Sequence, residues 1–159
     1  MKDLFIYARS MLPGLCLLLF SGCSFISVSL MPSAEPFEET TVMGTGKDKI
    51  LIVDISGIIS DEGKHGLVFL SDEPNTVSRI KEELTTAAQD DSIKAILLRI
   101  NSPGGTVTAS DIIYHEIEQF KKASGLPVIA CIMDLGASGG YYVAVSADKI
   151  VAHPTTVTG

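Results

Sequence analysis

Residues 93–105 read IKAILLRINSPGG, an apolar run that ends in a short polar and glycine-rich segment. A continuous run of branched apolar residues is typical of a strand that is buried on both faces. In the next stretch, residues 108–122, apolar residues recur at helical spacing: Ile113, Ile117 and Phe120. A buried strand followed by an amphipathic helix indicates one unit of a parallel α/β sheet.

The same alternation continues on both sides of this unit. Further strands are predicted over residues 49–59, 127–133 and 149–153, and further helices over residues 74–89 and 138–147. The order predicts an α/β fold with a mostly parallel sheet that is covered by helices on both faces. Because crossovers between parallel strands are right-handed, the strands at 93–100 and 127–133 should be neighbours.

The ends of two predicted helices carry local signals. The first helix should begin near Pro74 or Asn75. In the second helix, Thr108 and Asp111 occupy the positions of a capping box, and Gly125 follows the basic end.

Two glycine-rich segments follow the middle strands, NSPGG at residues 101–105 and DLGASGG at residues 134–140. Parallel strands present their carboxyl ends at one edge of the sheet, which is where ligands bind in α/β proteins. We therefore expect the two segments to face each other. Glycine lets the backbone approach a ligand closely and turn its N–H groups outward, so the pair predicts a binding site.

Ser138 lies between glycines in the second segment and is the candidate nucleophile. Acyl transfer needs a nucleophilic side chain and fixed N–H donors within about 3 Å of the developing oxyanion. The amides of Gly104, Gly105 and Gly139 are the candidate donors. The alternative is that Ser138 caps the helix that follows it, a common role of serine in such turns. The presence of NSPGG one α/β unit earlier favours the catalytic interpretation.

Other chemistries fit the sequence less well. GASGG also matches the G-x-S-x-G nucleophile elbow of α/β-hydrolases, but that fold needs an acid and then a histidine well downstream. Only Asp148 and His153 follow the serine, and both are close to it. His65 and His115 are predicted to be solvated or structural. No His and Cys spacing indicates a metal site, and no cofactor motif is present.

Length, composition and charge limit the number of domains and the kinds of partner that this protein can have. The chain has 159 residues, of which 46% are hydrophobic, and this is enough for one domain and an additional segment. The net charge is −7, so no basic surface is available to follow a phosphate backbone. Nucleic acid is therefore excluded as an expected partner.

Residues 1–22 have the layout of a secretory signal, with a weakly basic start, an apolar run and then small residues. Cleavage before Cys23 would resemble the processing of bacterial lipoproteins, in which that cysteine is acylated, although Phe20 stands where the pattern usually has leucine. The alternatives are an uncleaved membrane anchor and simple secretion. Each of them places residues 49–159, the predicted domain, outside the cytoplasm. An anchored domain would lie in the cell envelope, facing the periplasm or cell exterior, on a tether formed by residues 23–48.

The two motifs together with ILIVDISGIIS, residues 50–60, resemble signal peptide peptidase A, a membrane-bound serine peptidase of the Clp protease and crotonase superfold. The resemblance covers about residues 48–159. It implies a Ser/Lys dyad that cuts released signal peptides, with Ser138 as nucleophile and with Gly139 and either Gly104 or Gly105 at the oxyanion. It also implies a homo-oligomer in which a neighbouring protomer supplies the lysine for each serine.

The sequence departs from that pattern at the general base. The family has its lysine some fifty residues beyond the serine, whereas Lys149 is the only lysine after Ser138 and is predicted to be a solvated strand residue. We therefore expect the fold to be incomplete at the carboxyl terminus and the lysine to lie outside this sequence. Two alternatives remain open: a regulatory or assembly subunit without the base, and a crotonase-like acyl-thioester enzyme that needs no nucleophilic serine.

Overall fold

The computed structural model describes residues 39–62, 64–65, 72–73 and 75–159. The strands are β1 Lys49–Ile59, β2 Lys64–His65, β3 Asp72–Glu73, β4 Ile93–Gly105, β5 Val128–Gly136, β6 Lys149–Ala152 and β7 Val157–Thr158. The helices are α1 Thr76–Ala87, α2 Val107–Ser124 and α3 Gly139–Ala144. The predicted signal, the candidate acylation site Cys23 and most of the predicted tether lie outside the described residues. Residues 39–48 are exposed and lie in neither a helix nor a strand.

Four parallel strands form the main sheet in the order β1-β4-β5-β6, and β7 pairs with the carboxyl end of β5. The pairing aligns Val53 with Leu98, Leu98 with Ala130, and Ala130 with Ile150. The neighbouring positions of β4 and β5 and the predicted α/β class with a mostly parallel sheet are confirmed. The short strands β2 and β3 form a separate antiparallel pair that the sequence did not predict.

The core lies between one face of the sheet and the helices. Strand residues such as Val53, Leu98 and Ala130 are fully buried in a single cluster with helix residues, including Ile80 of α1 and Ile113 of α2. On the opposite face, Asp54 and Arg99 lie side by side and form a partly exposed ion pair.

All three helices described therefore pack on the same face, which differs from the prediction that both faces are covered. Because the strand order follows the chain order from β1 through β4 and β5 to β6, successive right-handed crossovers all fall on one side. Among the described ranges, no helix has both the length and the apolar character needed to cross a membrane.

The helix ends follow the predictions in part. Asn75 caps α1 by accepting a hydrogen bond from the Ser78 amide, and Gly125 closes α2 in the left-handed conformation. The capping box predicted at Thr108 and Asp111 is wrong, because the cap of α2 lies two residues earlier. Its cap is Thr106, whose side chain accepts a hydrogen bond from the Ala109 amide at 3.3 Å.

Candidate active site

The backbone of Ser138 is strained. Its φ of 50° and ψ of −123° make it the only non-glycine residue with positive φ in the described part of the chain. An L-residue reaches this region at a cost of about 1–3 kcal/mol and stays there only where the surroundings hold it. Although Ser138 directly precedes α3, its side chain makes no capping hydrogen bond and the residue is exposed. The geometry therefore does not support the alternative that this serine serves as a helix cap.

Backbone hydrogen bonds hold the strained turn on both sides. The Ala137 amide donates to the carbonyl of Ser102 at 3.0 Å, and the Ser138 amide donates to the carbonyl of Gly159 at 2.7 Å. The Ser138 carbonyl accepts from the amide of Tyr142 at 2.9 Å. The turn is thus fixed by β4, by the segment that carries β7 and by its own helix, which presents the hydroxyl at the carboxyl edge of the sheet.

The two glycine-rich segments face each other, as the sequence predicted. Gly104 has a φ of 99°, and a Cβ on it would lie 2.7 Å from the Gly139 nitrogen and 2.9 Å from the Ser138 Cβ. A Cβ on Gly139 would lie 3.3 Å from the Gly105 nitrogen and would overlap the hydroxyl of Ser110. The approach at Gly104 is closer than a side chain allows, because it meets backbone, so glycine is required there; at Gly139 the closest atom is the end of the Ser110 side chain.

The three candidate oxyanion amides are not equivalent. The Gly104 amide donates to the Ser102 Oγ at 3.0 Å and is therefore already occupied. The Gly105 nitrogen lies beside Gly139, and Gly139 is the first residue of α3, where an amide has no partner within its own helix. The geometry thus brings both glycines of the first segment close to Ser138 and Gly139, but the Gly104 amide is bonded to Ser102.

No residue with the properties of a general base is evident beside Ser138 in the ranges that the structure describes. Lys149 begins β6 and is exposed, as predicted. His115 is exposed on α2, and exposed His153 contacts the Thr155 hydroxyl at 2.8 Å. The backbone of His65 lies in β2, and its side chain lies outside the described residues. No group of three His, Cys, Asp or Glu side chains that could hold a metal ion occurs in the described part of the chain.

Several residues near the site were not singled out from the sequence. Ser102 is fully buried at the end of β4, and the Asn101 side chain accepts a hydrogen bond from the Leu135 amide at 3.2 Å. The Tyr142 hydroxyl donates to the Asp111 Oδ1 at 2.8 Å, which ties α3 to α2 and raises the pKa of Tyr142. Asn101 and Ser102 could have been found in the sequence, because they are two polar residues directly after an apolar run.

Comparisons with known proteins agree with this geometry. The model of Peptidase family S49 matches residues 120–159. "Protease 4" of Haemophilus influenzae is 43% identical over 116 residues, which cover 70% of this chain and 17% of that protein. A "Putative signal peptide peptidase SppA" of Enterococcus faecium is 35% identical over 127 residues, which cover 80% of this chain and 36% of that protein.

Two solved structures show the fold. A lysine-to-alanine mutant of the 1510-N membrane-bound stomatin-specific protease, in complex with a substrate peptide, matches with a TM-score of 0.55 and 26% identity. The match covers 72% of this chain and 46% of that one. A mutant of ClpP1 from Listeria monocytogenes matches with a TM-score of 0.50 and 23% identity over 66% of this chain and 52% of that one, a likeness of fold alone.

Fold and relatives together define the class, which is that of serine peptidases with the ClpP-like fold. Within this class, the chain is similar to the SppA-type peptidases of family S49, in agreement with the resemblance found in its sequence. The chain spans well under half the length of the first two relatives, 17% and 36% respectively.

Proposed function

We propose that this protein is a serine endopeptidase in which Ser138 is the nucleophile. The observation that carries the proposal is the conformation of Ser138, which is strained, exposed and uncapped beside two glycine segments. A serine that only capped a helix would have ordinary extended dihedrals and a hydrogen bond from its side chain to the first turn. Strain of this kind persists where a side chain must be presented to a reacting group.

The proposed reaction is acyl transfer through two tetrahedral intermediates. The Ser138 Oγ attacks the scissile carbonyl and loses its proton to the general base, while the carbonyl oxygen becomes an oxyanion. The amides of Gly105 and Gly139 stabilise that oxyanion, and the base returns the proton to the leaving amine. Water then attacks the acyl-enzyme in the same way and releases the second product. Of the two glycines offered by the sequence, Gly105 is favoured because Ser102 occupies the Gly104 amide.

The proposed general base is a lysine outside this sequence. Structures of the 1510-N protease exist with a serine and with a lysine replaced by alanine, the lysine variant with a substrate peptide. Such a pair of variants is what a Ser/Lys dyad predicts. The exposure of Lys149 favours one alternative, a regulatory or assembly subunit that has the fold but no base of its own.

The proposed substrates are extended, largely apolar peptides, and released signal peptides are the class that we propose. Ile58 is aligned with Gly104 and is 72% exposed, and Val107 follows the same segment and is 85% exposed. Apolar side chains at the rim of a site favour apolar substrate residues. The name of the Enterococcus relative supports the choice of signal peptides.

We also propose that the domain is anchored to a membrane in the cell envelope through Cys23. The support is the signal-like order of residues 1–22 and the word "membrane-bound" in the name of the 1510-N protease. A homo-oligomer belongs to the same proposal, because β6 presents apolar side chains to solvent, with Val151 55% exposed. Exposed apolar strands of this kind favour association.

The test is covalent labelling of Ser138 with a fluorophosphonate probe, located by peptide mass spectrometry. The protein should be produced in its source cells, so that any chain that supplies a lysine is present. We expect one adduct on Ser138, and loss of both the adduct and peptide cleavage in Ser138→Ala. The matched control is Ser124→Ala at the far end of α2, where the hydroxyl donates to the Phe120 carbonyl.

Two results would contradict the proposal. Labelling that is equally fast in Ser138→Ala would place the reactive group elsewhere. Activity that survives Ser138→Ala would favour the crotonase-like alternative, which uses paired amides without a nucleophilic serine.

A further inference from the structure

Ser102 is a buried hydroxyl that the proposed reaction does not use. Its relative exposure is 0%, and it lies at the carboxyl end of β4, two residues before Gly104. A polar side chain in such a place needs partners, because an unpaired buried hydroxyl is costly. Ser102 has two hydrogen-bond partners, the Gly57 carbonyl and the Gly104 amide, and both contact its hydroxyl.

The hydroxyl of Ser102 bridges β1 and the glycine segment. Its Oγ donates to the Gly57 carbonyl at 2.6 Å and accepts the Gly104 amide at 3.0 Å. The donated proton leaves the oxygen lone pairs available for Gly104, so the two bonds are compatible in direction. The bond fixes the peptide that precedes Gly104 and holds this residue at its φ of 99°.

The backbone of Ser102 contacts the other half of the site. Its carbonyl accepts the Ala137 amide, one residue before the nucleophile, and a Cβ on Gly140 would lie 2.9 Å from that carbonyl oxygen. Ser102 is also aligned with Gly136 in the pairing of β4 with β5. One residue therefore touches the glycine segment through its side chain and the nucleophile turn through its backbone.

We propose that Ser102 is the positioning residue that determines which amide serves the oxyanion. By holding the Gly104 amide, its hydroxyl orients the next peptide so that the Gly105 amide remains beside Gly139 and Ser138. This inference rests on the proposed function of Ser138. Ser102 itself forms no bond to substrate in the reaction.

The principal variant is Ser102→Ala, which removes the hydroxyl and keeps the backbone contacts. Ser146→Ala is the matched control, because Ser146 is equally buried at 1% exposure and its hydroxyl donates only to the Val143 carbonyl in α3. Both variants lose one buried hydroxyl. Only Ser102→Ala should alter the oxyanion site.

The kinetic measurement separates positioning from general stability. Because an oxyanion contact acts in the transition state, we expect kcat for an apolar peptide to fall about 10- to 100-fold in Ser102→Ala, with KM within about twofold. Ser146→Ala should keep both constants. A similar fall in both variants, or an unchanged kcat in Ser102→Ala, would overturn the inference.

A second measurement needs no variant that might fail to fold. Amide hydrogen exchange in the full wild-type chain, followed residue by residue, should show the Gly104 amide protected both before and after a peptide boronic acid binds. The Gly105 and Gly139 amides should become protected only after binding. Protection of Gly104 that appears only with the boronic acid would show that Ser102 does not hold it, and would overturn the inference.

The wild-type protein distinguishes this failure from failure of the proposed function. If the fluorophosphonate probe labels Ser138 and the Ser102 results are negative, the inference alone is wrong. If the probe does not label Ser138 in the wild-type protein, the proposed function is wrong, and the inference about Ser102 is wrong as well.

Discussion

At the scale of single residues, Gly104 is the position where a small change should have the largest effect. Gly104→Ala places a methyl group 2.7 Å from the Gly139 nitrogen and imposes a φ of 99° on an L-residue. The backbone conformation should cost about 1–2 kcal/mol, and relief of the overlap should displace Ser138. Because misplacement by about 1 Å can cost 100-fold in rate, we expect kcat/KM to fall by about that factor.

Gly125→Ala is the control for this prediction. Gly125 also has a positive φ, 69°, but nothing lies within 4 Å of the position that its Cβ would occupy. It should lose about 1 kcal/mol of stability and keep its activity. Urea unfolding and steady-state kinetics on both variants measure the difference, and equal activity in the two would show that contact at Gly104 does not position the nucleophile.

The sequence predicted that the two glycine-rich segments meet, but not the contacts that their residues make. Ser138, Gly104 and Gly105 were recognisable because glycine and serine after a buried strand are unusual in that combination. The bond from the Gly104 amide to Ser102 was not predictable, since it depends on the position of Gly57 in a different strand. The strain at Ser138 has the same origin, because it is held by contacts from distant parts of the chain.

At the scale of secondary-structure elements, the middle strands extend further than the apolar pattern. β4 continues to Gly105 and β5 to Gly136, so the segments predicted as turns are in part strand. Pairing with Ile58 and Ile59 of β1 keeps residues 104–105 in the sheet, although Gly104 has a φ of 99°. Apolar periodicity ends where burial changes, whereas a strand ends where its neighbour stops pairing, and only the first is visible in a sequence.

The amino ends of the strands contain a charged junction that should make stability depend on pH. The Asp90 carboxylate accepts from the Ser92 hydroxyl at 2.5 Å and from the Ser92 amide at 2.8 Å, and it contacts the Lys49 Nζ at 3.1 Å. These contacts, those with Ser92 above all, lower the pKa of Asp90 from 3.8 to about 2. The junction joins the start of β1 to the turn between α1 and β4.

The lowered pKa of Asp90 determines the direction in which stability changes with pH. The contribution of Asp90 is fully present above the unfolded pKa of 3.8 and is lost as the pH falls through about 2. We expect Asp90→Asn to be less stable than wild type at pH 5 and to lose less stability between pH 5 and pH 2. Urea midpoints at the two pH values measure this, and a parallel loss in both proteins would contradict it.

Asp91→Asn is the matched control for the charge change. Asp91 is exposed, and its backbone carbonyl, rather than its carboxylate, accepts the hydrogen bond from the Lys94 Nζ. It should follow the wild-type pH dependence. Labelling of Ser138 should be unchanged in both variants, because the junction lies at the opposite edge of the sheet from the site.

At the scale of the whole molecule, the described residues contain the proposed nucleophile and the proposed oxyanion amides without an evident base. The helices cover one face of the sheet, and β6 is exposed along its whole length. A sequence pattern can predict local units because each of them is specified by its own residues. It cannot show what covers an exposed strand or what supplies a general base, because neither is specified by the residues of the local unit itself.

The intact mass of the protein, extracted from the membranes of its source cells, tests the anchor and the base together. We expect cleavage before Cys23 with acyl chains attached, and a total mass above the 16.9 kDa of the 159 residues by more than lipid can add. In Cys23→Ala the acyl mass should disappear and the protein should leave the membrane fraction. Cys131→Ala, which alters a half-buried cysteine of β5, should keep both.

Each alternative for the anchor and the general base predicts a different intact mass. A value for residues 23–159 plus lipid would support the anchor but require a lysine from another chain, and mixing with a lysine-bearing partner should then restore Ser138 labelling. A mass that retains residues 1–22 without lipid would contradict the acylated anchor and favour an uncleaved membrane segment. In that case Cys23→Ala would remain in the membrane fraction, because apolar burial alone would hold the chain there.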